Sequence, residues 1–91
     1  MSLREQLAKC ESDTRHLIGA GAANRLANWR QYQSDLDLIQ FIQRTIRKPF
    51  AMANGWELHK SGLTSLESIV LSNRGLFVDD DIDIASKTLG L

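Results

Sequence analysis

The chain has 91 residues, of which 43% are hydrophobic, 24% charged and 7% aromatic, and its 11 Lys and Arg balance 11 Asp and Glu. That length holds one modest core and excludes a second domain, while the balance of apolar and charged residues excludes a disordered chain. Apolar runs such as Ile69–Leu71 and Leu76–Val78 stop at three residues, far short of the roughly 20 that cross a bilayer, so no membrane partner is expected.

Cys10 is the only cysteine, which excludes an internal disulfide, and Arg4, Glu5 and Lys9 interrupt the leucines at the start as they do in no secretory signal. A reducing, cytoplasmic setting is the expectation. The neutral total conceals a division. Residues 1–50 carry eight basic against five acidic side chains, and residues 51–91 carry three against six. Complementary halves are expected to draw the C-terminal region onto the basic body, its own or a partner's.

Ser2 followed by Glu5 forms a capping box that opens a helix over residues 2–18. Along it Leu3, Leu7, Cys10, Thr14 and Leu17 recur at alternating steps of four and three, the seam of a helix that seeks a partner. Gly19 and Gly21 then break or kink the chain, because each costs about 1 kcal/mol relative to alanine inside a helix. A second helix over 22–32 places Ala22, Leu26 and Trp29 on one face. Leu3, Leu7, Cys10, Leu17 and Trp29 are therefore the expected partner-binding set, and a second copy of the chain is the expected partner.

Ser34 caps a third helix over 35–48, with Asp35 and Asp37 at its positive end and Arg44, Arg47 and Lys48 at its negative end, and Pro49 is expected to stop it. Leu36, Leu38, Ile39, Phe41, Ile42 and Ile46 form a stripe wide enough to place this helix at the centre of the core. Residues 51–63 read as a connector, with Asn54-Gly55 as a turn anchored by Phe50 and Trp56. Thr64-Ser65-Leu66-Glu67 reads as a second capping box opening a helix over 64–74, and the alternative is a small β-hairpin near 69–78. A last helix over 81–89 is capped by Asp80 or Asp81 and ends at Gly90. The expected fold is all-α, a single domain 1–91 built as a small bundle of about five helices with a long N-terminal helix or helical hairpin. Within it 1–50 form the helical body, 51–63 the connector and 64–91 a region of short helices.

No spacing of chemical residues specifies a reaction. Asp79, Asp81 and Asp83 alternate as an EF-hand loop begins, but Ile84 and Gly90 stand where that loop needs glycine and glutamate, so capping explains them. His16 and His59 have no companions at zinc spacing, and Cys10 on the seam is a small apolar residue rather than an activated thiol. No catalytic residue, metal or cofactor is expected. The chain reads as a non-enzymatic protein–protein interaction module, an assembly or adaptor subunit that self-associates through its N-terminal seam. One alternative is nucleic-acid binding, with Arg25, Arg30, Arg44, Arg47 and Lys48 on phosphates and Trp29 or Trp56 stacked on a base.

A second alternative comes from the stretch Gly62-Leu63-Thr64-Ser65-Leu66-Glu67-Ser68-Ile69-Val70. It resembles the segment of acyl carrier proteins in which a serine at a helix start, followed by leucine, receives a phosphopantetheine arm. An acidic residue commonly precedes that serine, where this chain has Thr64. The resemblance implies modification of Ser65.

Overall fold

In the computed structural model, which describes residues 1–91, helix α1 spans Leu3–Leu17. The Ser2 hydroxyl accepts the Glu5 amide at 3.1 Å and the Glu5 carboxylate accepts the Ser2 amide at 3.0 Å, so the reciprocal box is complete. Gly19 separates α1 from α2 (Ala20–Leu26) with a φ of +136°, a backbone that residues with a Cβ rarely adopt. The helix expected to reach residue 32 ends at Leu26, and the chain tightens into a 3-10 turn over Ala27–Gln31. Helix α3 (Asp35–Thr45) starts with the Ser34 hydroxyl accepting the Asp37 amide at 3.1 Å, and it finishes before Arg47 and Lys48.

The connector expected at 51–63 is instead a helix, α4 (Pro49–Lys60). Pro49 does not end α3. It occupies the first turn of α4, where a missing N–H leaves nothing unpaired, and Lys48 before it takes the extended backbone that proline imposes. Asn54-Gly55 is therefore mid-helix rather than a turn. Helix α5 (Leu66–Ser72) is capped one residue later than the sequence pattern suggests: the Ser65 hydroxyl accepts the Ser68 amide at 3.0 Å and the Ser68 hydroxyl accepts the Ser65 amide at 2.9 Å. No hairpin follows, because Ile69–Leu71 lie in α5 and the chain continues through a 3-10 turn at Arg74–Leu76. Helix α6 (Asp79–Thr88) begins with the Asp81 carboxylate accepting the Val78 amide at 3.3 Å. The fold is a small all-α bundle of six helices without a strand, and no helix is long and apolar enough to cross a membrane.

Helix α1 packs against α2, α3, α4 and α5, while α6 closes against α5 and α4. One cluster joins Leu3, Leu7 and Cys10 of α1 to Leu38, Phe41, Ile42 and Ile46 around α3, and to Ile69 and Val70 of α5. Each fully buried leucine or isoleucine contributes about 1.5–3 kcal/mol relative to exposure. The α3 stripe is narrower than its sequence suggests, since Leu36 stands in solvent.

The two charge halves meet at α6. Arg47 donates to Asp81 at 2.7 Å and to Asp80 at 2.9 Å, and Gln43 donates to Asp81 at 2.7 Å. Burial pushes the Asp81 carboxyl up, but the hydrogen bonds from Gln43, Arg47 and the Val78 amide outweigh it and hold this group below its ordinary range.

Candidate functional site

The residues expected to bind a partner are mostly spent inside the chain. Leu3, Leu7 and Cys10 are buried in the bundle's own core, so the N-terminal seam is an intrachain contact; Leu17, one helical turn beyond Thr14, is exposed together with its neighbour Ile18. Trp29 is buried too. Its indole N–H donates to Glu11 at 3.0 Å, and the guanidinium groups of Arg4 and Arg30 lie 5.5 Å and 4.8 Å from its ring centre. A buried tryptophan with a satisfied N–H and two cations over its ring is an anchor of the fold.

The basic set is divided in the same way. Arg30 pairs with Glu11 at 2.5 Å, Arg47 with Asp80 and Asp81, and Arg44 donates to the Tyr32 hydroxyl at 3.1 Å. Arg25 lies over the Phe50 ring at 5.1 Å and shares a small cleft there with Lys48. Trp29 lies under Arg30 but is covered, and the cleft of Arg25 and Lys48 is lined by Phe41 and Phe50 and by neither tryptophan. Ser65 is fully buried as the cap of α5, so its hydroxyl is committed to the Ser68 amide and an arm could be attached only by opening the helix start. Asp79, Asp81 and Asp83 belong to α6, and no three His, Cys, Asp or Glu side chains gather in a metal-holding group.

Two other features stand out. The first is the outer face of α4 and α6. Met52 and Trp56, one turn apart on α4, are exposed, Trp56 by 45%. Met52 and Ala53 border a cleft completed by Ile84, Lys87 and Thr88 of α6. The Trp56 ring reaches the end of α6, where a Cβ on Gly90 would meet it at 3.5 Å, and Leu91 beyond is 72% exposed. An exposed Trp one turn from an exposed Met, beside the cleft that Met shares with Ile84, is unlike the single apolar residues that any surface carries. Asp83 and Lys87, a turn apart on α6, are exposed and form no ion pair within the chain.

The second is a small cavity between α1, α2, α4 and α5, about 20 Å³, room for roughly one water. Its walls are chiefly apolar, with Leu26, Phe50, Ala51, Leu58 and Leu66. At its inner end lies Glu67, 1% exposed, whose Oε2 has no hydrogen-bond partner. Burial pushes the Glu67 carboxyl up to about 7, in spite of its place in the first turn of α5. Burial likewise pushes the nearby Cys10 thiol up to about 12, so Cys10 is a neutral wall residue. Helix α4 passes Glu67 at Gly55, where a Cβ would lie 2.2 Å from Oε1.

The sequence pattern assigns Glu67 to a capping box with Thr64. Because Ser65 is the cap, Glu67 falls one position earlier in the helix, and its side chain turns inward. The signal that could have located it is Gly55: a glycine within an amphipathic helix marks a close approach. Compared with protein-family models, curated proteins and solved structures, the chain matches none of them.

Proposed function

We propose that this protein is a non-enzymatic interaction module that pairs with a second copy of itself through the α4–α6 face. The observation that carries this reading is Trp56, nearly half exposed one turn from the exposed Met52, which borders a cleft with Ile84 of α6. Tryptophan at the centre of an apolar patch is the residue type that most often anchors a protein interface, with charged groups at the rim contributing orientation.

The choice of occupant rests on charge. A chain with no net charge does not repel its own copy. A two-fold axis crossing α6 at the level of Ala85 sets the unpaired Asp83 of one copy against the unpaired Lys87 of the other, twice in one dimer. The face is small, so the dimer is weak and forms at high micromolar concentration.

Charge reversal tests the pairing. Asp83→Lys is expected to weaken the dimer several-fold and Lys87→Asp to do the same, whereas the double reversal restores it. A double variant no better than either single one would count against the two-fold arrangement.

A further inference from the structure

We infer that the cleft between the end of α2, the end of α3 and the start of α4 is a binding site for a small aromatic phosphate monoester, whose phosphate meets Arg25 and Lys48 and whose ring lies on an apolar floor. The cleft shares no residue with the α4–α6 pairing face, so this inference stands apart from that reading.

The charge argument begins in the sequence. Residues 19–34 and 38–56, which supply the whole wall of the cleft, contain Arg25, Arg30, Arg44, Arg47 and Lys48 but no Asp or Glu. Folding neutralises part of this set with acids brought from elsewhere: Glu11 comes to Arg30, and Asp80 and Asp81 come to Arg47. Arg25 and Lys48 are left without a counter-ion, and both are on the cleft. The Phe50 ring, 5.1 Å from the Arg25 guanidinium, holds that group at the rim by its π-face and accepts none of its charge.

The floor sets the orientation of the ligand. Leu26, Phe41 and Thr45 are buried there, and the Thr45 hydroxyl is spent on the Phe41 carbonyl at 2.7 Å, so the inner end offers no donor to an anion. The anionic head therefore stays at the rim and the apolar part goes inward. An apolar cavity of about 150 Å³ takes a benzene ring. The cleft, about 200 Å³, takes one ring with its head at the mouth and is too small for a larger ligand.

Phosphate suits the head better than carboxylate. A phosphate monoester carries about −1.5 to −2 charges at neutral pH and three acceptor oxygens, which match two cations that are donors only, whereas a carboxylate carries one charge. Two exposed cations and one ring give a weak site, with a Kd on the order of 1 mM.

The test is a titration of the full chain with phenyl phosphate at neutral pH, followed by the amide signals of Arg25, Asn28, Thr45, Lys48 and Phe50, against benzoate, phenol and inorganic phosphate at equal ionic strength. Saturable shifts at these amides, and tighter binding of phenyl phosphate than of the three comparison ligands, are expected. Arg25 and Lys48 are exposed, so Arg25→Gln and Lys48→Gln keep the fold, and each should weaken binding about three- to fivefold. Arg74→Gln removes the same charge from an exposed position outside the cleft and should leave binding unchanged. Absence of saturable shifts, benzoate or phenol binding as tightly as phenyl phosphate, or equal weakening by Arg74→Gln would overturn the assignment. N-acetyl-O-phosphotyrosine N-methylamide, run in parallel, separates the two sources of this chemistry: tighter binding than phenyl phosphate assigns a phosphotyrosine side chain, weaker binding a free ester, and the aryl phosphate site stands in both cases.

Discussion

A Cβ placed on Gly55 would come within 2.2 Å of Oε1 of Glu67, so helix α4 crosses the buried carboxyl at a point that admits no side chain. Two local rules meet there with opposite signs. Alanine should stabilise the middle of α4 by about 1 kcal/mol over glycine, but overpacking a closed site costs about 1–3 kcal/mol. Gly55→Ala is expected to destabilise the wild type. In a Glu67→Ala background the obstacle is gone, and the same substitution should become neutral or stabilising. Denaturant melts of the four proteins measure this coupling, and equal effects of Gly55→Ala in both backgrounds would show that the contact carries no energy.

The Glu67 carboxyl also sets a direction for stability against pH. Its value rises from 4.5 in the unfolded chain to about 7 in the fold, so the folded state holds the proton more tightly. The stability associated with that proton is fully present below about pH 4.5, declines as pH rises towards 7 and is flat above, a change on the order of 3 kcal/mol. Asp13 and Asp81 run the other way: both are held below their ordinary value, so their contribution is present above about pH 4 and disappears in stronger acid. Thermal melts between pH 5 and 8 are expected to fall for the wild type and to be nearly flat for Glu67→Gln, with the acid limb kept in both. A slope unchanged by Glu67→Gln would assign the pH dependence elsewhere.

The cap of α5 separates two readings of neighbouring residues. Ser65 is buried and exchanges hydrogen bonds with Ser68, whereas Thr64 uses its backbone amide to reach Asp13 at 2.9 Å. Ser65→Ala should cost about 0.5–2 kcal/mol and Thr64→Ala only a few tenths, because alanine keeps the amide. Denaturant midpoints check it, and the reverse order would return the cap to Thr64.

That shift of one residue shows what the sequence conveyed and what it could not. Helix α1 was fully legible, since the Ser2 and Glu5 box and the seam from Leu3 to Thr14 are local signals, and so was the start of α3 at Ser34. Helix α4 was hidden. Pro49 and Gly55 both act as breakers in isolation, and only the packing of α4 beside α1, α5 and α6 shows that the first opens the helix and the second clears the way for Glu67. Periodicity marks Leu3, Leu7, Cys10 and Thr14 as a buried stripe, although its last member, Leu17, is exposed, and periodicity does not say whether the surface that covers the stripe belongs to the same chain. Here α3 and α5 cover it. The α4–α6 face and the Glu67 cavity both depend on α4, and neither could be seen while residues 51–63 stood as a connector.

The central claim is that α4 and α6 present the surface by which this module meets its own copy. Sedimentation of the wild type and of Trp56→Asp from about 10 µM to 1 mM tests it most directly, because Trp56 is exposed and its replacement leaves the core cluster intact. The wild type is expected to move from monomer towards dimer across that range while Trp56→Asp stays monomeric with unchanged helical content. A wild type that remains monomeric at the highest concentration, or a Trp56→Asp variant that dimerises equally well, would contradict the account.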